Sequence, residues 1–92
     1  MPVTAAEIEA RIHAALPGAR VTVADTTGGG DHWSATVIAV EFQGKGLVDR
    51  HRMVYAALGP LMRGDIHALA LVTETPDERG TEKQQPEKQP AR

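Results

Sequence analysis

The sequence predicts an α+β domain in which helices pack on a three-stranded sheet. Two apolar stripes at helical spacing, three runs rich in β-branched residues, and their order along the chain (helix, strand, strand, helix, turn, strand) carry that prediction. With 92 residues, 41% of them hydrophobic, the chain suffices for one small core and no second domain.

Thr4-Ala5-Ala6-Glu7 has the spacing of a capping box, with Val3 and Ile8 placed as a hydrophobic staple. Ile8, Ile12 and Ala15/Leu16 then recur on one helical face until Pro17-Gly18, which predicts a helix over residues 5–16. Val21 and Val23 mark a strand from Ala19 to Asp25, and Trp33 to Phe42 reads as a longer second strand. In that second run Ser34, Thr36, Ile38, Val40 and Phe42 alternate with Trp33, Ala35, Val37 and Ala39, so neither face is strongly polar. The second face is either covered as well or offered to a partner.

After Gln43-Gly44-Lys45-Gly46, the residues Leu47, His51, Val54, Leu58 and Leu61 form a second helical stripe. Gly59-Pro60 breaks it, predicting a helix over 47–58 and a separate turn over 60–64. Ile66 to Thr73 reads as the third strand, closed by Thr75-Pro76. From Asp77 onward the chain is polar, and residues 82–90 contain no apolar side chain larger than proline. Such a segment buries too little surface to offset its ordering entropy, so the domain is expected to span residues 1–77 and a disordered tail residues 78–92.

Composition excludes several classes of function. The chain has no cysteine, so disulfides, thiol nucleophiles and thiolate ligands are all absent. That composition suits a reducing cytosol, and a cytoplasmic location is expected. No apolar run approaches the roughly 18–20 residues of a membrane span, and the first residues form neither a basic nor an apolar stretch, so the chain is expected to be soluble and unexported. A net charge of −2 argues against general nucleic-acid affinity, although residues 44–63 carry Lys45, Arg50, Arg52 and Arg63 against Asp49 alone. Gly28-Gly29-Gly30 lacks a phosphate-binding frame and precedes a strand rather than a helix, so no helix terminus would receive a phosphate. No nucleophile and base stand at the spacing of a catalytic motif, and the protein is expected not to be an enzyme.

Four histidines remain. His13 lies beside the first helical stripe and reads as a surface residue. His51 lies within the second stripe between Arg50 and Arg52, which suits a partly buried structural ring. His67 opens the third strand after Gly64-Asp65, near a sheet edge, either as an ordinary strand-end residue or as a ligand. His32 follows three residues without side chains, in Gly-Gly-Gly-Asp-His-Trp, and is either the end of a simple turn or a ring held out for binding. Two histidines do not close a structural zinc site. Asp31 and Asp65 could complete one, or a second molecule could supply the remaining ligands, as two imidazoles hold one iron of a Rieske [2Fe-2S] centre.

The runs Phe42-Gln43-Gly44-Lys45, Arg50-His51-Arg52-Met53-Val54-Tyr55 and Ile66-His67-Ala68-Leu69, in this order, resemble the BolA family from Ala5 to Asp77. The resemblance implies an αββααβ fold similar to a class II KH module. It also implies partnership with a monothiol glutaredoxin and a shared [2Fe-2S] cluster. In that arrangement the glutaredoxin cysteine and glutathione hold one iron, while His67, and His32 from the loop of histidine-type members, hold the other. The free protein is expected to be a monomer carrying no cluster. The KH-like fold also implies an alternative, a nucleic-acid-binding regulator that contacts DNA through Lys45, Arg50, His51 and Arg52. That alternative departs from a KH clamp because Gly44-Lys45-Gly46 stands where a GxxG loop is needed.

Overall fold

The protein's computed structural model describes residues 3–79. Helix α1 (Ala5–Ala15) begins at Thr4, which is extended and accepts the Glu7 N–H on its hydroxyl at 3.1 Å. The expected Glu7 carboxylate half of the capping box does not form, and that carboxylate lies 3.9 Å from Arg11 Nε instead. Val3 and Ile8 are both buried, as a staple requires, and Ile12 and Leu16 continue the same face into the core. The Leu16 N–H donates to the Ile12 carbonyl at 2.8 Å and closes the helix before Pro17-Gly18.

Strand β1 (Arg20–Asp25) pairs antiparallel with β2 (His32–Ile38), and β2 pairs parallel with β3 (Ala68–Glu74), so β2 is central. Trp33, Ala35 and Val37 are buried on the helix side, where Val21, Val23, Leu69 and Leu71 join them. Thr22, Ala24, Ser34, Thr36, Ile38, Ala70 and Val72 make the other face, which no helix covers among the described residues.

Two expected strand boundaries move by more than one residue. The second strand ends at Ile38 rather than Phe42, because Val40–Phe42 forms one turn of 3-10 helix. Strict alternation would send Phe42 to the outer face with Ile38. The turn changes the phase and buries Phe42 completely, and burying a side chain of this size is worth about 1.5–3 kcal/mol. The third strand begins at Ala68 rather than Ile66, because the Ile66 N–H bonds the Leu61 carbonyl at 2.8 Å and its side chain fills the core before the sheet starts.

Helix α2 (Leu47–Leu58) and the 3-10 segment Gly59–Arg63 match the expected helix and turn. The expected stripe does not match in its first half. Val54, Leu58 and Leu61 are buried, but Leu47 is 64% exposed. Arg50 takes the first position of the inner face, with its guanidinium 5.7 Å above the centre of the Phe42 ring. An arginine stem covers apolar surface while its head reaches polar partners, so a reading that counts Arg as polar places the stripe one turn wrong.

Those polar partners are at the C-terminal end of the sheet. The Arg50 guanidinium donates to Glu78 Oε1 and Oε2 at 2.8 and 3.0 Å, to the Thr73 carbonyl at 3.3 Å, and to the Lys45 carbonyl at 2.9 Å. Glu78 sits in a complete capping box. It accepts the Thr75 N–H at 2.9 Å, while its own N–H donates to the Thr75 hydroxyl at 3.1 Å, and Pro76 opens the helical turn over 76–79. Arg79 adds an ion pair to Glu74 at 2.7 Å. Glu78 and Arg79, which fall within the expected tail, are thus held to the domain by these contacts, and the rest of the expected tail lies outside the described residues.

Candidate metal-ligand pair

The glycine-rich loop is an ordered turn built on Asp25. At the end of β1, Asp25 Oδ1 accepts the N–H groups of Thr27 and Gly28 at 3.3 and 3.0 Å, and Oδ2 accepts that of Gly30 at 2.9 Å. Thr26 donates both its N–H and its hydroxyl to the His32 carbonyl, at 2.9 and 3.1 Å. Gly28 and Gly30 have φ of +82° and +81°, and a Cβ at either would meet nothing within 4 Å. Glycine is required there for left-handed backbone and not for a close approach.

The loop delivers His32 to the start of β2, opposite Ala68 in the parallel register. His67 immediately precedes β3. Its N–H donates to the Asp31 carbonyl at 2.8 Å, and the Ala68 N–H reaches the same oxygen at 3.2 Å. The two imidazole rings are thereby brought together, with centroids 5.1 Å apart and planes at 79°. His67 is exposed, and the His32 side chain is 39% exposed with Nδ1 3.3 Å from Asp31 Oδ1.

That spacing suits one metal ion. With metal–nitrogen bonds of about 2.1 Å at a tetrahedral angle, two imidazoles on one metal have ring centres about 5.2 Å apart. Asp31 and Asp65 do not complete a site, since among the described residues no group of three or more His, Cys, Asp or Glu side chains could hold a metal. The pair has the geometry of a half-site: two imidazole rings at a spacing one metal could bridge, with the other positions to be filled from outside.

The basic residues lie at the other end of the sheet. Arg50 bonds the carbonyl of Thr73, six residues along the strand from His67 or roughly 20 Å at the rise of a β-strand. Its guanidinium is committed to Glu78, whose carboxyl is held down at about 2, first by the hydrogen bond from Arg50 and then by that from the Thr75 backbone. Arg50 in this conformation is a latch and not a free cation. Lys45 and Arg52 are exposed, and His51 is half-buried with its ring edge-on to Tyr55 at 6.2 Å.

Sequence reasoning missed Asp25 and Glu78. Both had a signal: an Asp two and three residues ahead of Thr27 and Gly28 is the spacing of an Asx-type turn, and Thr75-Pro76-Asp77-Glu78 is a capping box with proline at its first helical position.

The chain matches the BolA-like protein family over residues 4–78. Protein BOLA2 of Arabidopsis thaliana is 40% identical over 70 residues, which cover 75% of this chain and 74% of that protein. The chloroplastic/mitochondrial SufE-like protein 1 of Arabidopsis thaliana is 36% identical over 66 residues, covering 72% of this chain but only 16% of that longer protein. Among solved structures, a bolA protein homologue from Coxiella burnetii superposes with a TM-score of 0.72 at 43% identity, covering 85% of this chain and 97% of that one. The three-stranded mixed sheet with helices packed on it matches the fold of solved BolA structures. Among the described residues no helix is long and apolar enough to cross a membrane. The family match extends from the cap of α1 to the latch residue Glu78, and the chain belongs to the BolA family.

Proposed function

We propose that this protein is a non-enzymatic adaptor that binds a monothiol glutaredoxin and contributes His67 and His32 to one iron of a shared [2Fe-2S] cluster, for cluster trafficking or for sensing iron and redox state. The observation that carries the reading is the convergence of the two rings at 5.1 Å on an exposed end of the sheet. The chain has no thiolate of its own, so the sulfur ligands of such a cluster come from the glutaredoxin cysteine and glutathione.

Imidazole is a neutral ligand and harder than thiolate, so a histidine-held iron keeps less ligand charge and exchanges more readily than a fully thiolate-held one. That asymmetry fits a protein that accepts a cluster and gives it up. The backbone bonds from His67 and Ala68 to the Asp31 carbonyl supply the orientation, fixing the start of β3 against the loop that bears His32.

The test is co-purification with a monothiol glutaredoxin and glutathione, read by visible absorption and circular dichroism. The wild-type chain should give a coloured heterodimer whose spectrum differs from that of the glutaredoxin-bound cluster alone. His67→Ala should abolish the difference and His32→Ala should weaken it. A spectrum unchanged by His67→Ala refutes the ligand assignment.

A further inference from the structure

We propose that Asp25 is the positioning residue of the histidine pair, fixing the loop so that His32 faces His67 before any metal arrives. The inference rests on the reading of His32 and His67 as ligands and concerns what holds them ready. Asp25 touches neither ring. Its two carboxylate oxygens receive three loop amides, from Thr27, Gly28 and Gly30, at 3.3, 3.0 and 2.9 Å. Such charge-assisted bonds are stronger than neutral ones and fix both ends of the glycine run.

The remainder of the chain of contacts is short. Gly30 leads directly to Asp31, whose carbonyl accepts the His67 N–H at 2.8 Å, and Asp31 leads directly to His32. Without the carboxylate, Gly28 and Gly30 lose the bonds that favour φ near +80°, and three adjacent glycines lose more conformational freedom on ordering than any other residues would. The loop would then open, and the two rings would have to be gathered by the metal itself. A pre-formed pair binds more tightly than one that must be ordered on binding.

The probe is Ni2+ held by nitrilotriacetate, which leaves two adjacent positions for imidazoles and needs no glutaredoxin. Binding is measured by calorimetry on the full chain, with amide hydrogen exchange at Thr27 and Gly30 and thermal unfolding measured alongside. Wild type should bind at least tenfold more tightly than His67→Ala. Asp25→Ala should fall to the single-histidine level, with faster exchange in the loop and an intact fold, since Asp25 is exposed and its partners are loop amides. Asp25→Asn keeps the oxygen that serves Thr27 and Gly28 but presents an amide to Gly30, and should lie between the two.

Wild-type affinity in Asp25→Ala overturns the proposal, as does wild-type binding no tighter than that of His67→Ala. Neither result depends on the glutaredoxin experiment. A coloured heterodimer that needs His67 but tolerates Asp25→Ala would leave the proposed function standing and remove only the role of Asp25.

Discussion

Alanine substitutions along Gly28-Gly29-Gly30 separate two reasons for a glycine-rich loop. If the loop existed to let another molecule approach, all three positions would be equivalent. The structure makes them unequal. Gly28 and Gly30 hold φ of +82° and +81° with open space where a Cβ would stand, so the penalty at each is that of a left-handed L-residue, about 1–2 kcal/mol. Gly29 has no positive φ, and its Cβ would meet Asp31 Oδ1 at 3.3 Å and Thr27 Oγ1 at 3.5 Å, both on movable surface side chains. Its cost should stay within about 0.5 kcal/mol.

A penalty of about 1–2 kcal/mol lowers the population of the closed loop by roughly 5–30-fold relative to the open form. The assay is amide hydrogen exchange at Thr27, combined with nuclear Overhauser contacts between the His32 and His67 rings. Both should weaken in Gly28→Ala and Gly30→Ala and persist in Gly29→Ala. Residues 26–29 are exposed, so the loop can open without the core. Thermal unfolding should therefore fall by less than the roughly 4–8 °C expected of a global 1 kcal/mol loss in a domain this size. Equal effects at all three glycines would refute the argument.

Three further outcomes follow from the packing. Phe42→Ala empties a fully buried position and should cost about 3–5 kcal/mol in denaturant unfolding, and a loss under about 1 kcal/mol would overturn the account of the 3-10 turn. Acid should release the C-terminal turn: Glu78 is depressed from 4.5 to about 2, so its contribution is complete above pH 4.5 and disappears as pH falls from there through 2. The Glu78 amide shift should follow that titration, and Glu78→Gln should free the turn at neutral pH. Arg50→Lys keeps stem and charge but loses the planar fork, so it should hold Glu78 while losing the simultaneous bonds to the Thr73 and Lys45 carbonyls, seen as faster exchange across residues 75–79.

Much of this fold can be read locally. Thr4 and Pro17-Gly18 bracket α1, and Gly59-Pro60 ends α2, because caps and breakers act within a turn of the chain. Local pattern fails where tertiary packing overrides it. Phe42 continues the alternation of β2 in sequence, but the core takes it through a change of phase. Arg50 occupies an apolar stripe that its charge disguises, so the pattern points to Leu47, which is exposed. Glu78 sits at the edge of a polar run, and only its distance from Thr75 marks it as part of a cap. The pairing of His32 with His67 is of another kind. It depends on the order and direction of strands, which no local pattern states, and from the residues alone either histidine reads equally as an ordinary strand-end or turn residue.

Strand direction explains the pairing. Because β2 and β3 are parallel, both begin at the same end of the sheet, and because β1 is antiparallel to β2, it finishes there. Asp25, His32 and His67 are thus the last residue of one strand, the first of the next and the residue before the third, gathered by topology from three parts of the sequence. Register then sets the face. Trp33 is 5% exposed on the helix side, so its neighbour His32 must point the other way, with Ser34 and Thr36. A slip of one residue would exchange the two faces, burying His32 and expelling Trp33. The energy that keeps Trp33 in the core is therefore also what keeps His32 on the open side of the sheet.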